Sequence, residues 1–141
     1  MISNSLYTGK NHQDERGILS FWNDFNMINI KRMYTIYHHS TLTIRAWQGH
    51  KHEEKWFYVV SGSFKIVLVK PDDWVNPSPV LLPEIHHLES SENCVLHVLG
   101  GNASGFKAES ENSKMIIFSN LTLEESKLDD FRFDSSLWYN W

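Results

Sequence analysis

One cysteine, Cys94, stands in 141 residues, so the chain can form no internal disulfide and a reducing compartment is expected. Cys94 begins the apolar run Cys94-Val95-Leu96, where a buried thiol is expected. No apolar run approaches the roughly 20 residues that cross a bilayer as a helix, so no membrane partner is expected. The opening Met1-Ile2-Ser3-Asn4-Ser5 lacks the basic-then-apolar pattern of an export signal, and the cytoplasm is the expected location. A basic stripe is also missing. The 13 Lys and Arg are outnumbered by 17 Asp and Glu and are mixed among them, which argues against nucleic acid as partner. There is no internal repeat, and residues 1–141 are expected to form a single domain.

Strand signals are abundant. Ile18 to Trp22 follows a turn at Glu15-Arg16-Gly17. From Ile28 to Tyr37 the pattern alternates, with Ile28, Ile30, Arg32, Tyr34 and Ile36 on one face. Thr41 to Trp47 is rich in β-branched residues. Trp56 to Val60 and Phe64 to Val69, joined by Ser61-Gly62-Ser63, predict a hairpin. Val95 to Leu99 and Lys114 to Phe118 predict two more strands. Only Thr122 to Lys127 has helix character, with Thr122 and Glu125 at capping-box spacing. Many short strands in a small chain point to an all-β sandwich or barrel with at most one short C-terminal helix. The closing Leu137-Trp138-Tyr139-Asn140-Trp141 is too aromatic for a free tail and is expected to dock on the domain or on a partner subunit.

The strongest chemical signal is Arg45-Ala46-Trp47-Gln48-Gly49-His50-Lys51-His52. On a strand, His50 and His52 share a face. Three readings stand: a metal pair, a general base near neutral pH, or exposed histidines. A metal would need more ligands. Glu53 and Glu54 come too early for the usual carboxylate, and His97 is the remaining candidate. The Gly-rich stretch from Val98 to Lys107 could cradle a phosphate, although it lacks the spacing of known phosphate loops. The pairs His38-His39 and His86-His87 are expected at the surface.

Taken in order, these motifs resemble the sugar-nucleotide cupins. Asp14-Glu15-Arg16-Gly17-Ile18-Leu19, Ile30 to Ile36, Arg45 to Lys51 and Ser61-Gly62-Ser63 are similar to the WxcM-like dTDP-4-keto-6-deoxyglucose 3,4-ketoisomerases. Leu96 to Phe106, Arg132-Phe133-Asp134 and Trp141 are similar to the dTDP-4-dehydrorhamnose 3,5-epimerases. The resemblance implies an all-β cupin (jelly-roll) barrel, homodimeric and without cofactor or metal. It implies an isomerase or epimerase that takes a nucleotide-diphosphate keto-sugar and serves deoxysugar biosynthesis for surface polysaccharides.

The resemblance also implies roles. His50 is the family-matched imidazole and the expected base, and Asp134 the carboxylate expected to hold its ring. Both families place a His where this chain has Gln48, which is expected to bond the carbonyl oxygen instead. Phe118 stands in the expected place of the epimerases' phenolic acid, leaving Tyr34 and Tyr58 as candidate donors. Arg16 and Arg45 are expected to neutralise diphosphate or enolate charge, Trp47 to stack on a ring, and Lys31 and His52 to contact substrate. A non-catalytic sugar-nucleotide-binding cupin, or a metal-dependent one using His50, His52 and His97, are the alternatives.

Overall fold

The computed structural model describes residues 3–141. Twelve strands form: β1 (Ser5–Thr8), β2 (Lys10–Asp14), β3 (Gly17–Phe21), β4 (Arg32–His38), β5 (Ile44–His50), β6 (Lys55–Ser61), β7 (Ser63–Val69), β8 (Glu84–Glu89), β9 (Cys94–Val98), β10 (Asn102–Ala108), β11 (Ser113–Ser119) and β12 (Phe131–Arg132). One short helix, α1 (Leu123–Lys127), follows β11 and carries the predicted capping box. Thr122 accepts from the Glu125 N–H while the Glu125 carboxylate accepts from the Thr122 N–H, which satisfies two otherwise orphaned donors.

The strands pair antiparallel in two five-stranded sheets, ordered β1-β9-β6-β11-β4 and β12-β5-β10-β7-β8. Strands β4 to β11 shuttle between the sheets in the order of a jelly roll, so the all-β cupin expectation holds. The hairpin β2–β3 stands apart from both. Gly62 closes the β6–β7 turn at φ 74°, in the left-handed region that side chains other than Gly rarely enter.

Between the sheets lies the main core, including Phe57, Phe64, Leu96, Phe106, Met115 and Ile117. Each such side chain contributes on the order of 2 kcal/mol by leaving water. The half-buried Cys94 packs at its margin. A second apolar layer lies outside the second sheet. There Trp47, Val67, Val69 and Ala103 meet Phe133, Leu137, Trp138 and Trp141. The aromatic C-terminus therefore docks on its own domain. The middle of the second sheet is buried on both faces, which is why β7 and β10, apart from Lys65, Asn102 and Lys107, are apolar or small rather than alternating.

The Gly-rich stretch is thus no phosphate loop. Its second half is β10, a central strand between β5 and β7. Gly105 is required there by close approach, since a Cβ would fall 2.7 Å from both Ala46 and the Trp141 ring. Opposite it the ladder slips: Arg45 pairs with Phe106 and Gln48 with Ser104. One extra residue in β5 forms a bulge, and Ala46 and Trp47 both join the outer layer while Arg45 and Gln48 both face inward.

A cationic cavity built around His50

A cavity of about 360 Å³ opens between the sheets at the α1 end. Its walls are Arg32, Tyr34 and Ile36 from β4, Arg45, Gln48 and His50 from β5, and Lys55 from β6. Phe106 and Ile117 form further wall, and α1, Asp130 and Arg132 complete the rim. The alternation read in β4 is what turns Arg32, Tyr34 and Ile36 inward together. Five cations (Arg32, Arg45, Lys55, Lys127 and Arg132) line the space, against one lining carboxylate, Asp130, which Arg132 already binds at 2.7 Å. Such a cavity suits a multiply charged anion.

His50 is buried at 6% exposure. Its Nδ1 lies 2.7 Å from the Asp129 carbonyl oxygen and 3.2 Å from Glu53 Oε1. Both atoms can only accept, so Nδ1 carries the hydrogen and Nε2 the lone pair. Nε2 is buried and has no partner among the described residues. Burial pushes the imidazole pKa down, and the Lys55 charge adds to that push. The Asp129 carbonyl and the Glu53 and Asp129 charges pull the other way without cancelling it. The ring is therefore neutral at pH 7 and presents a basic nitrogen.

Asp129 anchors this arrangement. Its carboxylate accepts the main-chain N–H groups of Lys51, His52 and Glu53 at 2.7 to 2.8 Å. The turn after β5 is thus tied to the chain after α1. Burial alone would raise the Asp129 pKa, but the three N–H donors outweigh it and lower it. A carboxylate with a depressed native pKa stabilises the fold above its unfolded value, and that contribution is lost as pH falls through the native value. Acid titration of stability should therefore show a steeper loss below the ordinary Asp value near 3.8 in the wild type than in Asp129→Asn. Equal slopes in urea unfolding across pH 2 to 5 (roughly the carboxylate range) would refute this.

Arg45 is held from behind. Its Nε donates to Nε2 of His38 at 3.1 Å. His38 is buried, not superficial as its sequence position suggested, and burial followed by the Arg45 charge lowers its pKa. A neutral His38 can accept from Arg45; a protonated one cannot.

Of the ten residues singled out from sequence, the cavity gathers His50, Tyr34, Arg45 and Gln48. The others lie elsewhere in the chain. Asp134 accepts from Ser136 in the exposed tail, so Asp129 and Glu53 hold the His50 ring in its place. Trp47 is 1% exposed, donates to the Leu137 carbonyl and packs on Trp138 and Trp141, so it offers no face to a ligand. Tyr58 lies on the outer face of the first sheet against Trp22. Arg16 sits at the tip of the β2–β3 hairpin, exposed and paired with Asp14 at 2.6 Å. Lys31 pairs with Glu125 outside the cavity. His52 is exposed in the turn. His97 stacks on Trp56 and bonds Glu54, so His50, His52 and His97 do not converge as a metal set. Phe118 likewise faces out, toward Phe25, and its neighbour Ile117 takes the cavity wall.

Sequence reasoning missed Glu53, Asp129 and Lys55. Glu53 was weighed only at metal-motif spacing, and Asp129 acts through main-chain partners that no motif records. The one available cue was an acidic pair, Asp129-Asp130, placed directly after a capped helix.

A jelly roll with a cationic cavity and a buried imidazole between its sheets has the architecture of a cupin. The chain belongs to the FdtA family (WxcM-like, C-terminal), whose profile matches residues 3–132. Among curated proteins none matches. Solved structures share the fold. A variant of the 3,4-ketoisomerase QdtA from Thermoanaerobacterium thermosaccharolyticum, in complex with TDP-4-keto-6-deoxyglucose, aligns at TM-score 0.72 and 20% identity, over 94% of this chain and 89% of that one. A 3,4-ketoisomerase from Helicobacter canadensis aligns at TM-score 0.74 and 19% identity, over 98% and 96%. The rmlC epimerase of Mycobacterium tuberculosis aligns at TM-score 0.78 and 18% identity, over 99% and 74%.

Proposed function

We propose that this protein is a sugar-nucleotide isomerase that moves the ketone of a thymidine-diphosphate-linked 4-keto-6-deoxyhexose from C4 to C3. The observation that carries the reading is the single imidazole of the cavity wall, with Nδ1 engaged, Nε2 unpartnered among the described residues and its charge suppressed by burial. The ligand class is supported by the cavity's five cations and by the TDP-sugar bound to a relative of the same fold.

The C4 ketone acidifies the C3 hydrogen. His50 Nε2 takes that proton, the C3–H pair becomes the C3=C4 double bond, and the C4 oxygen takes up the carbonyl electrons. Tyr34, on the opposite sheet, protonates that oxygen. His50 then returns its proton to C4, while the C3 hydroxyl loses its own to Tyr34 and becomes the new ketone. Protons and electrons balance, and one base serves both carbons from one face. Gln48 bonds the carbonyl oxygen, and Arg45 and Lys55 offset the enediolate and diphosphate charge. No cofactor enters this scheme.

We further infer a homodimer. The outer face of the first sheet exposes the apolar side chains Met33, Tyr37 and Val60, which a second copy of the chain would cover. The assigned compartment is the cytoplasm, because a nucleoside diphosphate does not cross a bilayer unaided, and the role is supply of deoxysugars for surface polysaccharides.

Proton NMR in deuterated water with dTDP-4-keto-6-deoxyglucose tests the proposal. Deuterium at C4 with a new C3 ketone is the expected result. Exchange at C3 or C5 with the ketone still at C4 would make the protein an epimerase. Saturable binding without exchange would make it a binding protein.

A further inference from the structure

Glu53 has no place in the scheme above, yet it is the most enclosed carboxylate of the site. Its side chain is fully buried. Oε1 accepts from the Ser126 hydroxyl at 2.8 Å and lies 3.2 Å from His50 Nδ1. Oε2 accepts from Arg32 Nη2 at 3.0 Å and from the Ser119 hydroxyl. An unpaired carboxylate at this depth would be severely penalised, so elements from four parts of the chain converge to keep it charged. Burial works to raise its pKa, but the Ser119 hydroxyl, the Lys55 and His50 charges and the Ser126 hydroxyl outweigh that and hold it down.

We propose that Glu53 is the positioning residue of the site: its carboxylate, 3.2 Å from Nδ1, stabilises the imidazolium formed when Nε2 takes the substrate proton, while the Asp129 carbonyl accepts the Nδ1–H and fixes the tautomer. This rests on the reading of His50 as base. The Asp129 carbonyl orients the ring but carries no net charge to offset the cation that forms. The charges around His50 are otherwise mostly positive: Arg32 from β4, Arg45 from β5, Lys55 from β6, Lys127 from α1 and Arg132 from β12. Tyr34 is the remaining titratable wall residue. Against these, the Asp129 carboxylate is committed to three main-chain donors and Asp130 to Arg132. Glu53 Oε1 is the carboxylate oxygen that faces the ring directly.

The test is the titration of His50 followed by NMR in ligand-free, histidine-labelled protein, with kcat/KM profiles alongside. Glu53→Gln should move the His50 titration and the acid limb of kcat/KM to lower pH. It should cut kcat about a hundredfold, within the range of positioned acid–base groups, with little change in KM. Glu53→Asp should recover part of both. Ser126→Ala removes a competing donor from Oε1 and should move the His50 titration the opposite way, to higher pH. Opposite shifts are not produced by general loosening. A His50 titration identical in wild type, Glu53→Gln and Ser126→Ala would overturn the proposal, as would a loss of kcat with an unmoved limb. If Glu53→Gln does not fold, Glu53→Asp and Ser126→Ala still decide. The NMR titration needs no turnover, so an inactive wild type would overturn the functional reading while Glu53 is judged separately.

Discussion

His50→Asn should lower turnover by about 10³-fold or more, near the upper end of what a single general base supplies. The Asn side chain can still donate to the Asp129 carbonyl, so the turn after β5 keeps its tie and the fold survives. What disappears is the lone pair at Nε2. The pH profile of the wild type should report the same group. Because burial and Lys55 depress the His50 pKa, the acid limb of kcat/KM should fall below the ordinary histidine value of 6.5. Exchange of substrate protons at the wild-type rate in His50→Asn would remove it from the mechanism.

Trp47→Ala should cost about 3–5 kcal/mol of stability, the usual range for removing a large buried ring. The ring is enclosed by Trp138 and Trp141, and its N–H donates to the Leu137 carbonyl at 2.6 Å. The variant leaves a void and removes one of the two donors to the Leu137 carbonyl, which keeps the Tyr139 N–H. It also loosens the layer that backs β5, on whose other face Arg45 and Gln48 stand. Urea unfolding measures the loss directly. A change under about 1 kcal/mol, the level of ordinary surface substitutions, would mean that the tail does not pack as described.

The two substitutions show where the sequence was legible and where it was not. The face of β4 could be read because one side meets the core and the other does not, so Arg32, Tyr34 and Ile36 alternate with exposed neighbours. The hairpin at Gly62 could be read from its turn residue. β10 could not, because a strand buried on both faces shows no alternation, and Asn102-Ala103-Ser104-Gly105 has the composition of a loop. Trp47 was legible as an important aromatic, but not as to which side it faced. Asp134 was favoured over Asp129 by resemblance, whereas the observed carboxylate works through main-chain N–H groups, which are the same whatever the side chains. Glu53 was passed over because its spacing was compared with a metal motif, not with the fold of the turn that bends it back under His50.

The bulge in β5 has a consequence for finding other proteins of this kind. The extra residue adds a second outward anchor while the inward series of Arg45, Gln48 and His50 keeps its phase. A strand one residue shorter, with a regular ladder, would present the same three side chains to the cavity. The gap between the arginine and the next polar residue is therefore not an invariant of the site. A search that fixes that interval will divide one geometry into two apparent motifs, and one that lets it vary by a single position will join them.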